Sequence, residues 1–172
     1  AVVFTDASAT AAQAMTIDAT DAGIALNNSH ATAGTDLSLD AGSDITLTDS
    51  TAPGATGSSL SAQTGDLSLN AGGNIALHSA SSGVASGDLI ANAGTGDLTV
   101  IEQSALTART GKLDLDAGHR VGVTDSTLSA ATDLTVDAAA ADIALTNSSA
   151  TAGDNLATVS YTHLTLPTNR EV

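Results

Sequence analysis

Cysteine and tryptophan are absent from this sequence, tyrosine and phenylalanine occur once each, proline twice, and lysine and arginine together only four times. Each shortage excludes something. Without cysteine there is no disulfide and no thiolate chemistry, although this names no compartment. The 42% hydrophobic content is almost free of rings, so its Ala, Leu, Val and Ile would fill a globular core poorly but suit a narrow interior. With 19 acidic residues against those few bases the formal charge is −15, which disfavours partnership with nucleic acid or anionic lipid. No apolar run approaches the roughly 20 residues of a membrane span, so no membrane insertion is expected.

What the sequence does have is a repeat. Thr35-Asp36-Leu37-Ser38-Leu39-Asp40-Ala41-Gly42-Ser43-Asp44-Ile45-Thr46-Leu47 aligns without a gap on Gly65-Asp66-Leu67-Ser68-Leu69-Asn70-Ala71-Gly72-Gly73-Asn74-Ile75-Ala76-Leu77, and looser copies return about every 22 residues. Self-similarity at that period predicts a solenoid in which each turn stacks on the last. Two short strands, A (Leu37/Leu39, Leu67/Leu69, Leu89/Ala91) and B (Ile45/Leu47, Ile75/Leu77, Leu98/Val100), alternate aliphatic with small polar residues. A third, C, is weaker: Ala31/Ala33, Leu60/Ala62, Val84, Leu106/Ala108. Period-2 alternation sends one set inward and the other to water, whereas a helix needs apolar residues three and four apart. The fold expected is all-β: a parallel β-helix of three short strands per coil and six to seven coils, spanning roughly 30 Å at the ladder spacing.

The corner after strand A carries Asp or Asn, then Ala and in most coils Gly, a set that suggests left-handed turn geometry. Two charged columns also emerge. Asp36, Asp66, Asp88, Lys112, Asp133 and Asn155 precede strand A; Asp44, Asn74, Asp97, Arg120 and Asp142 precede strand B. In each, the single cation is expected to relieve repulsion between the aspartates above and below it.

Val2 and Phe4 already occupy strand B positions, so residues 1–158 read as a repeat segment of a longer array without a signal peptide. Residues 159–172, beginning Val159-Ser160-Tyr161-Thr162-His163-Leu164, break the repeat. They resemble the in-frame translation of a transposon-type adapter from shotgun sequencing libraries, and such a tail stands outside fold reasoning.

The units Gly65 to Leu77 and Asp36 to Leu47 resemble the repeats of filamentous haemagglutinin-type exoproteins of bacteria, large adhesins exported by two-partner secretion. The resemblance covers residues 1–158 as a pattern. It implies a right-handed parallel β-helix, a secreted or outer-cell-surface location, an outer-membrane secretion partner for the parent protein, and contact of the whole with a host-cell or glycan surface. A shaft is what the repeats resemble. The secretion module, receptor-binding stretches and toxin domain of that family have no counterpart here, so no ligand carries over.

Candidate sites are few, and no catalytic residue, cofactor or metal is expected. Asp66 and Asp88, one rung apart, offer hard oxygen ligands for a divalent cation, but capping of corner amides is the preferred role. His30, His78 and His119 fall on different coils, and Asp114 and Asp116 flank an inward Leu115, with Asp116 at a corner. The stretch Thr51 to Ser59 lengthens one coil by about eight residues, and Pro53, Gly54, Thr56 and Ser58 are the candidates for contact with a partner. The function expected is therefore a non-catalytic adhesin shaft. The stalk of a contact-dependent toxin is the alternative. A β-helical polysaccharide lyase or hydrolase is less favoured, because Phe4 and three dispersed cations do not make an aromatic, charged groove.

Overall fold

The computed structural model describes residues 1–49 and 57–160. They form three parallel sheets of seven strands each and no helix. Sheet B runs from Val2–Thr5 to Ile143–Thr146, sheet C from Ser8–Ala11 to Ser149–Ala152, and sheet A from Met15–Ala19 to Leu156–Ser160. Chain order B, C, A then repeats seven times, so each sheet supplies one side of a three-sided coil.

Register shows why the period is not constant. Val2 pairs with Ile24, Ile24 with Ile45, Ile45 with Ile75, Ile75 with Leu98, Leu98 with Val121 and Val121 with Ile143. Coil length is free to vary because extra residues leave at corners, whereas a one-residue slip inside a strand would turn every aliphatic outward. The long coil is the third, and its additional residues lie between strands Ile45–Thr48 and Ser59–Ala62.

The interior is a single column of small aliphatics. Leu39, Leu69, Leu77, Leu89, Leu115 and Val136 are completely buried, and the same cluster extends from Ile17 to Ala138. At the ends the column opens: Val2, Phe4 and Met15 are only partly buried, and Leu156 is 53% exposed. Every interior residue therefore depends on the coils above and below it rather than on its own coil.

One expectation of strand phase needs correction. In strand Ser82–Ala85 the inward residues are Gly83 and Ala85, while Val84 faces outward opposite Thr107 and Ser61. Gly83 stands where neighbouring coils have Leu60 and Leu106, and the Leu106 and Leu67 methyls fill the space, within 2.8 and 3.2 Å of where a Cβ would lie. The last strand crosses from the repeat segment into the tail. Val159 and Ser160 continue the last strand in register with Asp137 and Ala138, so the ladder runs two residues past 158; residues 161–172 lie outside the described residues.

Packing at this density makes opposite errors costly at neighbouring positions. Leu69→Ala should lose about 2–5 kcal/mol through the cavity it leaves, and Gly83→Leu, although it restores the column residue, should lose about 1–3 kcal/mol by overpacking. Urea unfolding of both variants checks the pair. A neutral Gly83→Leu would show that the interior there is empty.

Candidate functional site

The polar residues of the coil are organised as columns at the corners, each built by the same operation as the core: like residues stacked one rung apart. Before strand A, Asp36 Oδ1 accepts the Asp66 amide at 3.0 Å, Asp66 Oδ1 the Asp88 amide at 2.8 Å, and Asp88 Oδ1 the Lys112 amide at 2.9 Å. Before strand B, Asp44 Oδ1 accepts the Asn74 amide at 2.7 Å and Asn74 Oδ1 the Asp97 amide at 2.8 Å. Each carboxylate thus reaches across to the next coil and satisfies an amide that no strand partner serves.

The glycines explain how the carboxylates fit. A Cβ on Gly65, Gly87 or Gly111 would strike Oδ1 of Asp36, Asp66 or Asp88, and one on Gly73 or Gly96 would strike Asp44 or Asn74. The recurrent Gly-Asp and Gly-Asn pairs are therefore one device: the second residue reaches to the next coil and the glycine there makes room. Asp66 and Asp88, the metal candidates, both hold amides in this way. Among the described residues no group of three or more His, Cys, Asp or Glu side chains is arranged to hold a metal ion.

The two cations do not act as their columns suggest. Lys112 Nζ turns to Asp114 Oδ2, two residues on in the strand it precedes, at 3.3 Å instead of bridging Asp88 and Asp133. Arg120 meets the aspartate on one side, Asp97 Oδ2 at 3.1 Å, and Asp97 Oδ1 lies 2.6 Å from His119 Nδ1. The hydrogen bond with His119, aided by the Arg120 charge, holds the Asp97 carboxyl below its ordinary range, against partial burial that pushes it up. A cation's reach is set by its rotamer and not by its place in a column.

The corner from B to C is where the left-handed residues lie. Asp6, Asn28, Gly57, Asp125 and Asn147, and the pairs Ser79/Ala80 and Glu102/Gln103, all have φ between 47 and 73°, so every coil turns left-handed there, two of them over two residues. The corner after strand A, expected to be left-handed, has none. Its Asx residue (Asp18, Asp40, Asn70, Asn92, Asp116, Asp137) is the fourth residue of the strand, and its glycine is required by close approach. A Cβ on Gly42, Gly72 or Gly118 would strike the carbonyl oxygen of Thr20, Gly42 or Gly94 in the coil before.

Immediately after the last left-handed residue of this corner, from the second coil onward, stands a serine, and five of these serines are buried: Ser29, Ser58, Ser81, Ser104 and Ser126. Their hydroxyls accept the amide of the preceding coil, Ala7 to Ser29 at 3.0 Å, Ser29 to Ser58 at 3.1 Å and Ser58 to Ser81 at 3.2 Å, and donate to strand B carbonyls such as Thr48 and Asn27. Ser58, a candidate for partner contact, is buried and faces the interior, aligned with Ser29, and Ser59 begins a regular strand. Pro53, Gly54 and Thr56 lie outside the described residues. The ladder breaks at Ser104, whose buried hydroxyl has no partner among the described residues, and the next hydroxyl, that of Ser126, donates to the Thr124 carbonyl without accepting an amide.

On the exposed side of sheet A the Asx residues form an acidic stripe. Asp18, Asp40 and Asn70 line an open groove of about 390 Å³ with Thr20, Gly42 and Gly72; Asn70 Nδ2 donates to Asp40 Oδ1 at 2.8 Å. Further along, burial and the neighbouring Asp137 and Asp114 push the Asp116 carboxyl above its ordinary value. Asp114 faces outward at mid-strand as expected, but Asp116 is a strand residue and not a corner. His30, His78 and His119 fall on a strand of sheet C, the corner after strand B and the corner before it. His30 Nδ1 meets the Ser59 hydroxyl at 2.7 Å across one rung, a pairing the sequence did not disclose because 29 residues separate the two.

Set beside known proteins, the chain matches no family model, and no curated protein or solved structure shows significant similarity to it.

Two measurements probe these columns. Ser58→Ala leaves the Ser29 amide without its buried acceptor, while the Thr48 carbonyl keeps the Asn28 amide, and should cost about 1–3 kcal/mol, whereas Ser104→Ala removes an unpartnered hydroxyl and should be neutral or stabilising; equal losses would contradict the serine ladder. For the acids, the depressed Asp97 stabilises the fold above its unfolded pKa, and that contribution fades as pH falls through the folded value. The raised Asp116 does the reverse, weakening the fold once ionised. At low salt and pH 7, Asp97→Asn should lower Tm and Asp116→Asn should raise it, and both differences should shrink as the pH falls below about 4.

Proposed function

We propose that this chain is a non-catalytic shaft segment of a secreted or cell-surface bacterial adhesin, a rod that holds adhesive or effector parts away from the cell. The observation that carries the reading is the unbroken register: all three sheets continue strand on strand through seven coils, so length is the property the sequence specifies. The resemblance of the Gly65 to Leu77 and Asp36 to Leu47 units to filamentous haemagglutinin-type repeats points the same way.

Charge distribution supports it. No strand of sheet B or sheet C contains Asp, Glu, Lys or Arg, and the acids occupy the corners and the outward side of sheet A. Acidic stripes along the length of a rod keep neighbouring shafts apart on a crowded surface. Export through an outer-membrane partner and encounter with a host-cell or glycan surface belong to the parent protein under this reading.

The test uses the property itself. Displayed on bacteria between an outer-membrane anchor and an epitope tag, the chain should raise the epitope by about 30 Å for seven rungs at the parallel-ladder spacing, measured by nanometre-scale fluorescence distance to the membrane. An unchanged epitope height would contradict the shaft role, and release of soluble sugar from any polysaccharide by the purified chain would overturn the non-catalytic one.

A further inference from the structure

The inner rungs are not equally well held, and the differences gather in the fourth coil, the strands Ile75–Leu77, Ser82–Ala85 and Leu89–Ala93. Its share of the core is thin. Gly83 stands level with Leu60 and Leu106 of the coils on either side, and Ala91 with Leu69 and Leu115. Val84, the one large aliphatic of its strand, faces outward. Ile75, Leu77 and Leu89 are therefore the large side chains this coil buries, where the fifth buries Leu98, Val100, Leu106, Leu113 and Leu115. Its strand in sheet B is also short: Ile75–Leu77 pairs over three residues with each neighbour, whereas Leu98–Ile101 pairs over four with the coil beyond. Because burial of aliphatic surface is what holds one rung to the next, the fourth coil gives its neighbours the weakest grip.

Polar links thin out at the same place. The Ser29 amide reaches the Ser58 hydroxyl and the Ser58 amide the Ser81 hydroxyl, but the Ser81 amide turns back to the His78 carbonyl of its own coil at 3.2 Å. The next hydroxyl of the column, that of Ser104, has no partner among the described residues, so the serine ladder lacks a link between the fourth and fifth coils. What joins the two at this corner is the Ala80 amide on the Glu102 carbonyl at 2.8 Å and the Ser79 hydroxyl on Glu102 Oε2 at 3.0 Å, an exposed pair. The backbone is strained there too. Other coils place Asp, Asn or Gly in the left-handed conformation, whereas the fourth has Ser79 and Ala80 in succession at φ 57 and 58° and the fifth Glu102 and Gln103 at 59 and 64°. Glycine escapes the Cβ clash and Asp and Asn tolerate it through local hydrogen bonds; Ala has neither recourse.

Thin core, missing hydroxyl link and strained corner are separate observations that fall on one rung. We propose that the fourth coil is a yielding point built into the rod: its side in sheet C, from the His78 corner to Ala85, opens while the coils on either side stay folded. In a stack whose stability is a sum over neighbours, a weak rung between stronger ones opens as a unit of its own. Sheet A is the hinge. Its ladder runs through the fourth coil with five residues in register on each side, and the carboxylate columns cross it unbroken, Asp66 to the Asp88 amide, Asp88 to the Lys112 amide and Asn74 to the Asp97 amide. Opening is thereby confined to one side, and the rod bends there in place of giving way as a whole. The inference rests on the coil alone and holds whatever the rod carries.

Amide hydrogen exchange of the full chain, read residue by residue by NMR, supplies the test. Four amides tie the fourth coil to its neighbours along sheet C: Ser82 and Ser86 donate to the Ser58 and Ala62 carbonyls, and Ala105 and Arg109 donate to those of Ser81 and Ala85, at 2.9 to 3.0 Å. Their counterparts one coil away on either side are Ser59 and Gln63, which donate to Ser29 and Ala33, and Thr127 and Ala131, which donate to Ser104 and Ala108, all at 3.0 Å. The bonds are equal in length, so a difference in exchange reports opening. A uniform stack frays from its ends and protects its middle best. Here the order should be inverted, the four amides of the fourth coil exchanging about tenfold or more faster than their counterparts.

Ala80→Gly tells local opening from a general loosening. It removes a left-handed Cβ from the fourth coil and touches no core residue, so it should slow exchange of Ser82, Ser86, Ala105 and Arg109 by about threefold or more while Thr127 and Ala131 keep their rates. Protection that climbs to a maximum at the fourth coil overturns the proposal. So does an Ala80→Gly variant in which all the amides slow by one common factor, since the fourth coil then opens only with the whole, or one in which the four do not slow at all.

Discussion

Vertical registry between coils is the constraint on which everything else depends. No coil encloses a core of its own: Leu69 is buried because Leu39 and Ala91 lie against it in adjacent rungs, and its backbone is bonded because the same rungs supply the ladder. Stability in such a stack is a sum over neighbours rather than a property of a unit. The strand segments are therefore uniform, and the irregularity, including the long third coil, is confined to corners.

Registry has a second consequence, in the polar groups. A corner exposes amides that the strands do not pair, and a repeat every rung means that one solution serves many coils. Two solutions are used. Where the corner faces water, Asp or Asn reaches to the next amide across a glycine; where it faces inward, serine does so and returns its own proton to a strand carbonyl. The buried serine column costs little because its members are satisfied, and Ser104 marks the place where the column is interrupted.

These devices bear on function by what they permit. A structure whose ladder and core contacts are made with the adjacent rungs can be lengthened without redesign, and its sides carry side chains that the ladder does not need. The acidic stripe of sheet A and the uncharged strands of sheets B and C are of that kind. A rod with one charged side and two neutral ones suits spacing and projection.

Much of this was written in the sequence. Leu alternating with Ser or Asp gives the phase of a strand, and a 22-residue return gives the coil, because both follow from local periodicity. Phase was lost where periodicity failed: in Ser82-Gly83-Val84-Ala85 the only large aliphatic is Val84, yet Leu60 and Leu106 on either side dictate that Gly83 points inward. Lys112 was assigned two aspartates by its column and chose Asp114 in its own coil, two residues along the chain. The serine column was invisible among so many serines, and the left-handed corner had no single residue type to announce it, being Asp, Asn, Gly, Ala or Gln in turn. The sequence by itself determined the repeat, the inward aliphatics and the number of coils. Tertiary structure alone decided which corner turns left-handed, which serine is buried and which carboxylate meets which amide, because those depend on residues a full coil away and on the few ångströms separating one rung from the next.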